Sequence, residues 1–255
     1  MLFTKNTFIG IDPTAGKRPF AYAALDGNRQ LLAVGEGQME EVLAFVGGQA
    51  RAFVAVNAPR APNAGLMADE TRRAALSPPP RPGRWTGYRV AEYELHRRGI
   101  SIPRTPAQPE KCPRWMQMGF KVYQRLASLG FRRFPAGDAP LQSLEVYPHA
   151  AYTVLLEHLP FPKNTLEGRL QRQLVLYVHD VEVPNPMRVF EEITRHRLLQ
   201  GILPLDDLYS ASELDALVAA FTAFKAATQP ESVCLAGDAA EGQIVLPVKE
   251  LRTRY

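Results

Sequence analysis

The sequence predicts an α/β fold in a single domain, and three observations carry that expectation. Short apolar, β-branched segments bounded by Gly, Pro, Asn or Asp fill the first 60 residues. Apolar residues at helical spacing dominate most of the remaining chain. The chain has 255 residues, 46% hydrophobic and 22% charged, which supports one large core and excludes a largely disordered polypeptide.

In chain order, Thr7–Asp12 (TFIGID) reads as a strand stopped by Pro13. Pro19–Asp26 and Arg29–Glu36 flank Gly27-Asn28, a hairpin turn signal. Gln38–Val46 places Met39, Val42, Leu43 and Val46 at helical spacing and ends at Gly47-Gly48. Ala52–Val56 is a buried-type strand cut off by Asn57-Ala58-Pro59, so the opening reads β-β-β-α-β. Residues 60–83 hold a polar helix-like piece and the stiff SPPPRPG loop. Helices are predicted over Thr86–Arg98 and Pro113–Leu129, the second with Trp115, Met118, Val122, Leu126 and Leu129 along one face. Ser143–Tyr147 reads as a strand, and helices come next over 149–158, 166–179 and 186–199. Ser210–Thr228 is the clearest helix, with a stripe of Leu214, Leu217, Val218, Phe221 and Phe224. Two short strands, Ser232–Ala236 and Gln243–Val248, close the chain around GDAAEG.

No apolar run is long enough to cross a bilayer, and residues 1–10 lack a signal-peptide core. The two cysteines, Cys112 and Cys234, form neither a zinc pattern nor a disulfide framework, which points to a reducing, cytoplasmic setting. The net charge of +4 is unevenly spread. Residues 60–140 carry 15 Lys and Arg against 6 Asp and Glu, a net of +9, attached to an acidic remainder. Such a segment suits a polyanion or simply a solvated surface.

Candidate chemistry lies where polar groups interrupt apolar elements. Asp12 ends the first strand, Asn57 ends another, Glu145 sits between Leu144 and Val146, and Asp215 lies near the start of the last long helix. Such groups can converge at one edge of a sheet, and converging carboxylates call for a divalent cation such as magnesium or manganese. Plainer roles are a turn at Asp12-Pro13 and a helix cap at Ser212–Asp215. GIDPTAGK is one residue too long for a phosphate loop and has Arg18 where Ser or Thr is needed. His149 follows EVYP, and Lys163, Arg169 and Arg172 lie on or beside one helix where they could grip phosphates or remain solvated.

The segments FIGIDPT, VAVNAPR, LEVYPHA, KNTLEGRLQRQ, ELDALVAAFTA and GDAAEGQIVLP, in that order, resemble the domain-of-unknown-function family 429. That family is described as predicted nucleases of ribonuclease H-like fold. The resemblance implies a mixed five-stranded core sheet, its second strand antiparallel to the rest, with helices on both faces and a helical, basic insertion at about 60–140. It also implies an acidic catalytic site at Asp12, position 57, Glu145 and Asp215, with Asp12, Glu145 and Asp215 as metal ligands. Position 57 departs from the family pattern, being Asn where Asp is usual. Asn keeps an oxygen but removes a charge, which lowers metal affinity.

The leading expectation is therefore a magnesium-dependent nuclease whose nucleic-acid substrate is held by Lys163, Arg169, Arg172, Arg60 and His149. The alternatives are a nucleic-acid-binding module that lost catalysis through Asn57, and an ATP-using enzyme on the related actin-like fold.

Overall fold

The computed structural model describes residues 6–15, 18–81 and 83–255. Among them the elements run β1 (Thr7–Asp12), β2 (Phe20–Leu25), β3 (Leu31–Gly37), α1 (Met39–Gly47) and β4 (Ala52–Val56). Then come α2 (Glu70–Ala74), α3 (Val90–His96), α4 (Arg114–Ser128), β5 (Arg132–Arg133) and β6 (Leu141–Glu145). The remainder is α5 (Pro148–Leu156), α6 (Leu166–Val178), α7 (Arg188–Glu192), α8 (Arg195–Leu199), α9 (Ala211–Thr228), β7 (Cys234–Ala236) and β8 (Ile244–Leu246). No helix of the described residues is long and apolar enough to cross a membrane.

The strands form one mixed sheet in the order β3-β2-β1-β4-β6-β8-β7, with β5 pairing beside β6. β2 is antiparallel to β1 and β3, β4 is parallel to β1 and β6, and β7 is antiparallel to β8. Parallel neighbours cannot be joined by a hairpin, so β4 must cross over to reach β6. Residues 60–140 lie within that crossover. More of the stretch is irregular than helical, and its longest helix, α4, covers the sheet.

Alternation along the strands splits the core in two. Phe8, Phe53, Leu144 and Val146 pack against Leu214, Leu217, Phe221 and Phe224 of α9, with α5 and α6 beyond. Ile9, Ile11, Val54 and Val56 face the other way, onto Val42 and Val46 of α1 and Val122 and Leu126 of α4. α9 is buried far beyond the expected stripe: Ala216, Ala219, Ala220 and Ala223 are inside as well. A helix sandwiched between a sheet and other helices needs apolar residues nearly all round.

Boundaries differ from the sequence reading where caps decide them. The helix expected from Thr86 starts at Val90, where Glu92 accepts the Arg89 backbone N–H at 3.0 Å. The helix expected over 186–199 breaks into α7 and α8, because the Thr194 side chain caps a new start. The β2–β3 turn is organised by Asp26, whose Oδ1 accepts from the N–H groups of Asn28 and Gln30, while Arg29 takes a positive φ of 64°. Leu129 falls at the C-terminus of α4 and is exposed, not part of its packed face. Gly16 and Lys17 of the GIDPTAGK stretch lie outside the described residues.

Candidate active site

The geometry begins with a glycine. A side chain on Gly10 would overlap the Ala216 carbonyl oxygen and the Ala220 backbone nitrogen of α9. Its absence lets α9 lie directly on β1. That contact sets Asp215, the fifth residue of α9, beside Asp12, the last residue of β1. Ser210 caps the helix and Glu213 closes the capping box, so Asp215 is not the cap. Both carboxylates are buried, at 9% and 3% exposure.

Asn57 follows β4 at the same sheet edge. Its backbone N–H continues the ladder to the Ile11 carbonyl, and its side-chain Nδ2 donates to Asp12 Oδ1 at 2.7 Å. Lys163 enters from the loop before α6, with Nζ 2.6 Å from Asp215 Oδ2. That loop is pinned. Gly168 lies so close to the Pro162 carbonyl that a side chain there would overlap it, Thr165 caps α6, and Arg172 Nη1 donates to the Phe161 carbonyl at 2.8 Å. The result is a cleft of about 460 Å³ walled by Tyr147, His149, Phe161, Lys163, Arg172 and Asp215, with Asn57 also on its lining.

Burial sets the electrostatics. The Asp12 carboxyl is pushed up to about 7, first by desolvation and then by the Asp215 charge. Lys163, Asn57 and Ser212 pull it back part of the way. Burial works against the Lys163 ammonium, but Asp215 and Asp12 outweigh it and raise its pKa. His149 is lowered, by desolvation and then by Arg172, which favours a neutral imidazole.

A model of the family described as Protein of unknown function (DUF429) matches residues 10–241. The chain belongs to the DUF429 family. No curated protein and no solved structure matches it. The matched span of this DUF429 chain includes Asp12, Asn57, Lys163 and Asp215.

Glu145 does not join them, which corrects the expected four-residue cluster. Ile11, Val56 and Glu145 are in register across parallel strands, so Glu145 projects to the α4 side of the sheet, away from Asp12. Arg89 binds it bidentately there, at 2.6 and 3.0 Å, and the Arg60 backbone N–H donates to its Oε2 at 3.1 Å. Arg89 is only 1% exposed. Nearby, the buried Glu92 accepts the Thr105 N–H, and the buried Glu241 accepts the N–H groups of Ala64 and Val90. In this DUF429 protein the second acidic group therefore fastens the crossover. Among the described residues, no three His, Cys, Asp or Glu side chains gather as a metal group.

The expected substrate contacts also divide. Lys163, Arg172 and His149 line the cleft. Arg60 does not: it donates to Ser143 and lies 4.2 Å over the Tyr123 ring. Arg169 donates to the carbonyls of Leu208 and Tyr209, holding the approach to α9. Among the described residues of the 60–140 stretch, only Ser101 lines the cleft, so the many cations there point elsewhere. Tyr147, Phe161 and Ser212 join the site although the sequence reading assigns none of them a functional role. An aromatic between two prolines, Pro160-Phe161-Pro162, is the available signal for the second.

Proposed function

We propose that this protein hydrolyses phosphodiester bonds of nucleic acid on a ribonuclease H-like sheet, using one magnesium or manganese ion held by Asp12 and Asp215. The observation that carries the proposal is the meeting of these two buried carboxylates with Lys163 beyond the carboxyl ends of parallel strands β1 and β4, where Lys163 and Asp215 line an open cleft and Asp12 lies behind them. The strand order β3-β2-β1-β4-β6, with β2 antiparallel, supports the fold assignment.

The donor set fits one hard cation. Magnesium commonly takes one or two carboxylates and leaves its other positions to water and substrate phosphate. It does not fit a pair of ions, because Glu145 is spent on Arg89 across the sheet. When bound, the metal would supply charge neutralisation at the scissile phosphate. The chain's own groups do the rest. Neutral His149 accepts a proton from the attacking water as the water oxygen bonds to phosphorus and the bond to the leaving oxygen breaks. Lys163 offsets the charge on the phosphate and donates a proton to that leaving oxygen.

A second reading keeps binding without cleavage. It is favoured by the Lys163–Asp215 ion pair, which already neutralises one carboxylate with no metal, and by the uncharged Asn57. Manganese titration and cleavage of mixed DNA and RNA substrates, on wild type beside Asp215→Asn, separate the two. Metal-dependent cleavage lost in the variant supports hydrolysis. Nucleic-acid binding with no cleavage at any metal concentration overturns it in favour of the binding module.

A further inference from the structure

We infer that the cleft receives a nucleotide whose base is unpaired, stacked on Phe161, with its phosphate at Lys163. The inference rests on nucleic acid being the ligand, as proposed above, and adds which form of it fits. Phe161 is 53% exposed, and its ring lies on the wall of the cleft beside Lys163. The backbone that carries the ring is anchored. The Phe161 N–H donates to Gln171 Oε1 at 2.8 Å, its carbonyl accepts from Arg172 at 2.8 Å, and prolines flank it on both sides. Exposure on a fixed backbone marks a platform, whereas a loop merely lacking a core contact has no such anchoring.

The surroundings match one nucleotide. Lys163 is two residues from Phe161, at most about 7 Å along the chain, a separation that base and phosphate of a single nucleotide span. Tyr147 and His149 line the same cleft, their rings 6.0 Å apart at 71°, with the Tyr147 hydroxyl tied to the Ser101 carbonyl. The volume of about 460 Å³ accommodates one nucleotide and not a base pair with its stacked neighbours. In a duplex both faces of a base are covered, so only a single-stranded, terminal or extruded base can offer a face to the ring.

The test is fluorescence anisotropy of the full chain, metal-free, with a labelled mixed-sequence single-stranded DNA and with the same strand in a blunt duplex. Wild type should hold the single strand at least tenfold more tightly. Phe161→Ala should weaken single-strand binding by roughly 5- to 150-fold, equivalent to the ~1–3 kcal/mol of a stacked base, and Phe161→Trp should restore it. Thermal melts of both variants check that they fold. Equal affinity for strand and duplex, or an unchanged Phe161→Ala, overturns the inference, as does absence of binding to either. The magnesium cleavage assay is read separately. Single-strand binding that depends on Phe161 without cleavage leaves this inference standing and removes the hydrolase. Cleavage indifferent to Phe161 does the reverse.

Discussion

Because burial and Asp215 lift the Asp12 carboxyl from 3.8 to about 7, the folded chain holds a proton there that the unfolded chain releases. This group therefore lowers stability as pH rises from about 4 to about 7, and the loss is complete above that. Asp12→Asn should stabilise the metal-free protein at pH 8, with the difference shrinking toward pH 4. Urea midpoints of the two proteins at both pH values measure it, and the comparison cancels Glu92, which titrates in the same range. Asn57→Asp acts oppositely. It removes the donor to Asp12 and sets a third carboxylate against the pair, so the metal-free protein should lose ~1–3 kcal/mol, recovered when magnesium is added. Differential scanning calorimetry with and without magnesium reads both effects. Glu145→Gln discriminates between the two geometries considered for that residue. With buried Arg89 stripped of its bidentate carboxylate and left with only the more distant Glu92 and Glu241 charges, stability should fall by up to ~3–5 kcal/mol while manganese affinity stays unchanged. A large fall in manganese affinity would place Glu145 at the metal after all. Asp12, Asn57 and Asp215 are legible in the sequence as polar groups ending apolar elements. Glu145 looks the same, but one residue of register decides which face a strand residue takes, and register across β1, β4 and β6 is not written in local sequence.

Gly10 does for the elements what the acids do for the site. Substituting Ala there would drive a methyl group into the Ala216 carbonyl, so α9 must shift off β1. Overpacking of this kind costs ~1–3 kcal/mol and here would also part Asp215 from Asp12. Gly10→Ala should show a lower urea midpoint and, at temperatures where it remains folded, the same loss of metal binding as Asp215→Asn, checked by isothermal titration with manganese. Strand and helix periodicity makes β1, β2, β4 and α9 legible within a residue or two. Periodicity misses close approach: neither Gly10 nor Gly168 announces its helix or loop partner, because those partners lie 206 and 6 residues away. Caps decide the remaining boundaries. Thr194 begins a new helix inside what reads as one continuous pattern, and the Asp26 side chain builds a turn longer than Gly27-Asn28 suggests.

At the scale of the whole molecule, the +9 segment is legible from composition, but the direction its charges face is not. Arg89 is consumed by Glu145, Arg60 by Ser143, Arg72 by Asp238 and Arg125 by Glu40. With Lys163 as the exposed cleft cation and Arg172 buried against the Phe161 carbonyl, single-strand affinity should fall with salt at a log–log slope of about −0.7, one phosphate neutralised. A slope near −5, measured by anisotropy across a salt series, would show that the crossover segment also contacts the strand. The sheet topology carries one further consequence, for synthesis. β1 and β2 leave the ribosome early, with Phe8, Ala21, Ala23 and Leu25 facing outward, yet the helix that covers them begins only at Ala211. At ordinary elongation rates that gap lasts on the order of 10–40 s. Throughout it the nascent chain presents one bare apolar sheet face, so a chaperone has its longest claim on this protein before α9 arrives.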